Sequence, residues 1–266
     1  MTQSLWQDDP SRPRLLEIHR RLCGEYGCPH PYFHTYDPVS ELVSSLLSHR
    51  TRNAESSRAF KALKARYGGD WALVAAAPTA EVEACIAGVT WPEQKAPRIQ
   101  EVLRGIRERT GGLSLDFLAE MTPEAARAWL RQLPGIGPKT SAAVLAFSSL
   151  RMKALPVDSH HHRVAVRLGL IPAKLAVGPA HDVLAAQLPA EWGAQELYDN
   201  HEVLMLHGQR VCFFQSPACR RCVLLDLCPT GQARMGGGEA AIAASAGVDG
   251  MAAPSAAGGR RRKAPA

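Results

Sequence analysis

The stretch QLPGIGPKTSAAVLAF, residues 132–147, sets an amine at the wrong end of a helix. Lys139 follows the turn Gly135-Ile136-Gly137 and falls in the first turn of a helix that Pro138 can open. Free N–H groups and the helix dipole make that end positive, so a lysine is electrostatically opposed there. A free lysine titrates near ~10.4 and is protonated, hence non-nucleophilic, at neutral pH. A positive helix end and partial desolvation both depress that value. Bringing it to about 8 costs roughly 3 kcal/mol and yields an amine able to attack carbon. The plainer role is that of a solvated lysine touching a phosphate.

A carboxylate weighs toward the chemical role. The segment LPVDSH places Asp158 further along the chain. A helix over 138–149 climbs ~18 Å, and residues 150–157, if extended, return up to ~26 Å. Asp158 can therefore come back level with Lys139. It is also a natural N-cap for the helix SHHHRVAVRLGLIP. The two roles are compatible, because a cap can hold a carboxylate rigid while its free face serves a substrate. His160, His161 and His162 have the look of a metal tripod, but helical neighbours point about 100° apart and do not converge.

Four cysteines, Cys212, Cys219, Cys222 and Cys228, form the pattern C-x6-C-x2-C-x5-C. Zinc modules more often use paired C-x2-C knuckles, or one knuckle with a distant histidine pair. A 4Fe-4S cube is larger than one ion and suits the wider gaps. The spacing favours the cluster and leaves zinc open. Arg210, Arg220 and Arg221 flank the loop and can offset the charge of four thiolates or extend a basic face. Cys23, Cys28 and Cys85 read as buried small hydrophobes.

The elements that must position these groups are helices. Helical periodicity and cap signals mark 37–48, with Leu42, Val43, Leu46 and Leu47 on one face, then 53–69, 79–89, 94–112 and 122–135. They continue through the helix opened by Pro138 and over 159–172, 178–188 and 194–212. No alternating strand pattern appears, so the class is all-α. Helix, Leu-Pro-Gly-Ile-Gly, helix is the helix–hairpin–helix pattern. Gly135 and Gly137 allow the tight turn and close approach, and the freed amides beyond it form an anion pocket. Lys and Arg number 31 against 25 Asp and Glu, a net charge of +6, which favours a DNA phosphate as the anion, held without regard to base sequence, over the alternative of a plain helical hairpin.

The start of the chain lacks the apolar core of a signal peptide, and no apolar run reaches membrane-spanning length. A soluble, monomeric, cytoplasmic protein working at the nucleoid is expected. Residues 235–266 are rich in Gly, Ala and Ser, end in Arg260-Arg261-Arg262-Lys263, and read as a disordered tail with a basic end.

These residues together resemble the endonuclease III family, the bifunctional DNA glycosylase/AP lyases of base-excision repair. The resemblance runs from about Asp37 to Cys228 and rests on LPGIGPKT, then VDSHHHRVAVRLG, then the four-cysteine loop. It implies that Lys139 is the catalytic lysine, Asp158 the catalytic aspartate, and the four cysteines the ligands of a 4Fe-4S cluster. It further implies two all-α lobes: a six-helix barrel over 31–152, and a cluster lobe of 1–30 with 153–234. Duplex DNA is bent across the cleft between them and a damaged base is flipped out. The implied substrates are oxidised pyrimidines. Lys139 displaces the base through a Schiff base, and β-elimination cuts the strand. Gly135, Gly137, Arg50 and His160 are expected to face DNA.

Related adenine-mismatch glycosylases generally lack the lysine and carry an extra C-terminal domain. One departure concerns LLSHRTRN: Arg50 stands where the family usually has a glutamine that fills the gap left by the flipped base. Arg50 should therefore alter the opposite-base preference and leave the fold untouched; the alternative is that it simply contacts a phosphate, as Arg52 beside it could. Rival readings are a monofunctional glycosylase of the same fold, a non-catalytic iron–sulfur DNA-binding or redox-sensing protein, and a zinc-stabilised DNA-binding module.

Overall fold

Capping residues punctuate this chain, and every regular element among the described residues, 11–236, is helical. The computed structural model gives, in order, α1 (Ser11–Tyr26), α2 (Pro38–Ser48), α3 (Asn53–Tyr67), α4 (Trp71–Ala76), α5 (Thr79–Cys85) and α6 (Pro92–Thr110). There follow α7 (Pro123–Leu130), α8 (Pro138–Phe147), α9 (Ser159–Arg167), α10 (Val177–Gln187), α11 (Ala194–Arg210) and α12 (Pro229–Gly236). The carboxylates of Asp37, Asp70 and Asp158 and the hydroxyl of Thr122 each accept a first-turn amide, at the heads of α2, α4, α9 and α7. At the other end, Gly68 and Gly111 stop α3 and α6 in the left-handed conformation, at φ 62° and 75°.

Two apolar cores form. The first is built from residues 39–154, carried by α2 to α8. The second joins Leu15, Ile18 and Leu22 of α1 to residues 155–224, carried chiefly by α9, α10 and α11. Each buried Leu, Ile or Val adds about 1.5–3 kcal/mol relative to exposure, so both cores are substantial. The chain crosses between them at Ala154–Leu155.

Helix α8 is buried on all sides from Thr140 to Ala146, which suits its mixed apolar surface. It packs against α2 and α7 of the first core and against α10 and α11 of the second. The helix that carries Lys139 is thus the one on which both halves close.

Several elements depart from the sequence expectations. Helices α1, α4 and α12 lay outside the predicted set. Helix α6 starts at Pro92 instead of Gln94, because Trp91 turns the chain in a left-handed conformation (φ 56°) and Pro92 fits the first turn. Cys23 and Cys28, read as buried hydrophobes, instead form a disulfide at the end of α1, where Cys28 is exposed. Gly27 (φ 85°) bends the chain back and leaves their Cα atoms 5.1 Å apart, within disulfide range. Among the described residues no helix is long and apolar enough to cross a membrane. The expected tail lies outside the described residues from position 237 onward.

Candidate active site

The hairpin is shaped by Gly135, whose φ of 77° is poorly tolerated by any other residue. A Cβ there would also sit 3.0 Å from the Arg98 Cδ. Gly137 then caps α8 in an extended conformation, with Pro138 and Lys139 in the first turn. The first-turn amides at this end carry no side-chain cap.

Lys139 is half-buried. Burial pushes its amine below the ordinary lysine range, opposed by the Glu41 carboxylate and then by Asp158. Two carboxylates thus act on the Lys139 amine, Glu41 more strongly than Asp158.

Asp158 returns to this level because the segment before it is held at two points. The Val157 amide donates to His181 Nε2 at 3.0 Å. His201 Nδ1 lies 2.8 Å from the Pro156 carbonyl. An accepting Nε2 means that His181 carries its proton on Nδ1, which faces the Val177 carbonyl at 2.8 Å. Asp158 itself accepts the His161 amide at 2.7 Å as the α9 cap. Burial raises its carboxyl, but His201, the His161 amide and the His161 ring outweigh that and hold it below the usual range.

Arg50 and Lys139 line two adjoining pockets. One is lined by Arg50, Trp91, Gln94, Lys95 and Arg98. The other is lined by Gly137, Lys139, Thr140, Gly178 and His181. His49 and Gly135 belong to both, and His49 Nε2 meets the Thr140 hydroxyl at 3.0 Å. Arg50 has φ 49° and lays its guanidinium 5.8 Å from the Trp91 ring centre. The Lys95 ammonium fixes this turn by donating to the carbonyls of Leu47 and His49, each at 2.7 Å, and to the Thr51 hydroxyl at 2.8 Å.

His160, expected to face DNA, packs its Cβ against Gly208 of α11 and shares its Nδ1 with Arg163 at 3.1 Å. His161 is buried and His162 half-buried beside it. The three point apart, as helical geometry requires.

The four loop cysteines line one cavity with Arg167 and His207, and none is in a disulfide. Amides of Leu224 and Gly231 point at the sulfurs of Cys222 and Cys228, at 3.4 and 3.2 Å. Arg167 reaches the Cys212 sulfur at 3.4 Å and ties down the Phe213 and Phe214 carbonyls. A Cβ on Gly231 would press within 3.4 Å of the Cys228 sulfur. Among the described residues, no three His, Cys, Asp or Glu side chains converge closely enough to hold a single metal ion.

Sequence reasoning missed Glu41, His49, Lys95, His181, His201 and Arg167. Lys95 and Glu41 had a usable signal, since each is a charge interrupting an otherwise apolar helix face.

The pattern of the HhH-GPD superfamily base excision DNA repair proteins matches residues 43–186. Endonuclease III of Thermotoga maritima is 33% identical over 193 residues, covering 72% of this chain and 83% of that protein. Endonuclease III of Escherichia coli (strain K12) is 29% identical, covering 82% of this chain and 96% of that protein. A solved structure of a trapped endonuclease III–DNA covalent intermediate superposes with a TM-score of 0.72 at 25% identity, over 84% of this chain and 98% of that one. With the superfamily pattern spanning more than half of its residues and the hairpin lysine in place, this chain belongs to the HhH-GPD superfamily base excision DNA repair proteins.

Proposed function

We propose that this protein is a bifunctional DNA glycosylase and AP lyase that removes oxidised pyrimidines from duplex DNA. The observation that carries the reading is Lys139: an amine at a bare helix N-terminus, pushed toward its neutral form by burial and level with Asp158. A protein that only binds DNA gains nothing from destabilising its own ammonium. The covalent intermediate trapped in a structural relative supports the same chemistry.

Neutral Lys139 attacks C1′ of the damaged nucleotide, and the C1′–N bond breaks with its electron pair leaving on the base. Asp158, ionised and fixed as a helix cap, faces the positive charge that develops on the sugar. Ring opening gives a Schiff base. This acidifies the C2′ proton, and its removal expels the 3′ phosphate. The hairpin amides beyond Gly135 and Gly137 hold a backbone phosphate, and His160, in the first turn of α9, is a further candidate DNA contact. Arg50 reads the base opposite the lesion. It donates only, where glutamine would also accept, so it favours acceptor-rich edges such as guanine.

Cys212, Cys219, Cys222 and Cys228 would hold a 4Fe-4S cluster. The shared cavity and the N–H groups aimed at sulfur suit a thiolate metal site, and the spacing favours the cluster over a single zinc ion. A bound cluster links α11 to α12 and orders the loop between them, and the reaction is carried out by protein side chains. A division into a barrel lobe over 31–152 and a cluster lobe of 153–234 with the N-terminal segment is supported by the two apolar cores, which part at Ala154–Leu155. The protein acts as a monomer at the nucleoid.

The test is borohydride trapping on duplex DNA with an abasic site. Wild-type protein should give a covalent complex, and Lys139→Gln should give none. An equally strong adduct from Lys139→Gln overturns the assignment of the nucleophile. Rapid base excision by the wild type with no trappable adduct makes the enzyme monofunctional.

A further inference from the structure

The disulfide between Cys23 and Cys28 closes the end of α1, and base excision uses neither sulfur. Disulfides in reducing compartments are usually transient or redox-sensing, and this one is built to be reached. Cys28 is exposed, and a Cβ added to Gly24 or Gly27 would meet open space. The other sulfur has a partner. Cys23 is half-buried, with His19 Nε2 at 3.5 Å from its Sγ. The side-chain amide nitrogen of Asn200 lies 3.4 Å from His19 Nδ1. An amide nitrogen only donates, so Nδ1 accepts and the ring carries its proton on Nε2, facing the sulfur. That N–H suits a thiolate on Cys23.

Between the two cysteines stands Tyr26, the last residue of α1. Its hydroxyl lies 3.0 Å from His207 Nδ1 on α11. His207 Nε2 in turn lies 3.4 Å from the Cys222 sulfur, and both residues line the cavity of the four loop cysteines. A thiolate on Cys222 accepts, so Nε2 carries the proton and Nδ1 takes the hydrogen bond of the Tyr26 hydroxyl. One line of contacts thus runs from an exposed disulfide to a cysteine of the loop. The turn that presents Tyr26 is weak by itself. Gly24 lies within it, and glycine is a poor helix former. The crosslink removes the freedom that this glycine gives.

We propose that Cys23–Cys28 is a thiol-exchange site for a dithiol reductant, and that its state sets how firmly the four-cysteine loop holds its cluster. The second half rests on the cluster reading of that loop. A thiolate of the reductant attacks the exposed Cys28 sulfur. The S–S bond breaks with its electron pair on Cys23, where the His19 N–H stabilises the thiolate until solvent protonates it. The second thiol of the reductant then attacks the mixed disulfide and expels Cys28. Two electrons pass to the protein, the reductant leaves as a disulfide, and two protons end on Cys23 and Cys28. With the bond open, the last turn of α1 loosens and Tyr26 parts from His207. Nothing then fixes the Nε2 proton toward Cys222, and the loop loses one hydrogen bond to sulfur. Tyr26 and His207 are positioning residues in this scheme, and Cys28 is the one that meets the reductant.

The test compares full-length protein with the disulfide closed and with it opened by dithiothreitol that is then removed anaerobically. Maleimide labelling of the unfolded chain, read by mass, reports the state: five cysteines should be marked when it is closed and all seven when it is open. The readout is release of iron to a chelator, followed by the decay of visible absorption. Opened wild type should release iron about threefold to tenfold faster than closed wild type, as loss of one hydrogen bond implies. Tyr26→Phe should release it at the opened rate in both states. Equal rates for the two states of wild type overturn the inference. Opening that speeds Tyr26→Phe as much as wild type also overturns it, because Tyr26 is then not the link. If Tyr26→Phe does not fold, the double variant Cys23→Ser/Cys28→Ser decides: release at the opened rate supports the inference and release at the closed rate overturns it. His19→Leu should be opened severalfold more slowly by dithiothreitol, and an unchanged rate overturns the exchange step. Wild type that carries no iron and no acid-labile sulfide sinks the cluster reading itself, whereas iron held equally well in both states sinks only the link to the disulfide.

Discussion

Asp158 serves two purposes with one carboxylate, and the two separate on substitution. Its Oδ1 accepts the His161 amide at 2.7 Å, which starts α9. Its negative charge faces the Lys139 amine. Asparagine caps a helix about as well as aspartate, so Asp158→Asn keeps the first function and loses the second. We expect its thermal stability to change by less than about 1 kcal/mol, with duplex binding retained and base excision slowed about a hundredfold or more. Single-turnover excision beside a denaturation curve checks this. Excision at the wild-type rate would reduce Asp158 to a helix cap. Its carboxyl is held below the usual range, so it stays ionised throughout the neutral region.

Elements bring these residues together, and the closest meeting is between α9 and α11. A Cβ added to Gly208 would lie 2.8 Å from the His160 Cβ and 3.2 Å from the His160 backbone. Backbone cannot give way as a flexible side chain can, so Gly208→Ala must part the two helices. That moves Asp158, which heads α9, away from Lys139, and slackens His201 on α11, which holds the segment before Asp158. The expected cost is about 1–3 kcal/mol in chemical denaturation, with base excision lost out of proportion to stability. A stable variant with normal excision would show that the two helices can separate without disturbing the site. This contact also marks where sequence reasoning stops. The lysine, the aspartate and the four cysteines were legible because their signals are local: a turn, a cap, a spacing. His181 and His201 act across helix contacts between residues far apart in sequence, and nothing in their own neighbourhoods announces it. The Cys23–Cys28 disulfide escaped for a related reason, since it depends on the left-handed turn at Gly27 and not on composition.

Across the whole molecule, the same desolvation that shapes the site sets the response to pH. His161, His181, His201 and His207 are all buried, and burial lowers each of them. His161 falls to about 3, and His201 and His207 to about 4. Unfolding returns them to about 6.5. Between those values the unfolded chain binds more protons, so stability rises with pH and is lost as pH falls. Glu41 and Glu202 oppose this. Both are raised to about 7, so the folded chain holds the extra protons between the ordinary carboxylate range and neutrality, and their contribution fades as pH rises. Four histidines outweigh two glutamates, and His19 and His34 are shifted in the same direction as the four. Each proton is worth up to ~1.4 kcal/mol per pH unit. The melting temperature should therefore drop steeply from about pH 6.5 to about pH 4.5, with the protein most stable at or above neutrality. His161→Leu isolates the cause. Both His161 ring nitrogens are buried without hydrogen-bond partners, so their removal costs little at neutral pH, and the slope should lose one proton. A wild-type melting temperature flat across this range, or an unchanged slope in His161→Leu, would contradict the reading. The interior that keeps these imidazoles neutral is the one in which Lys139 must lose its proton, so a site built on a neutral amine ties the enzyme to neutral or alkaline conditions in fold and chemistry alike.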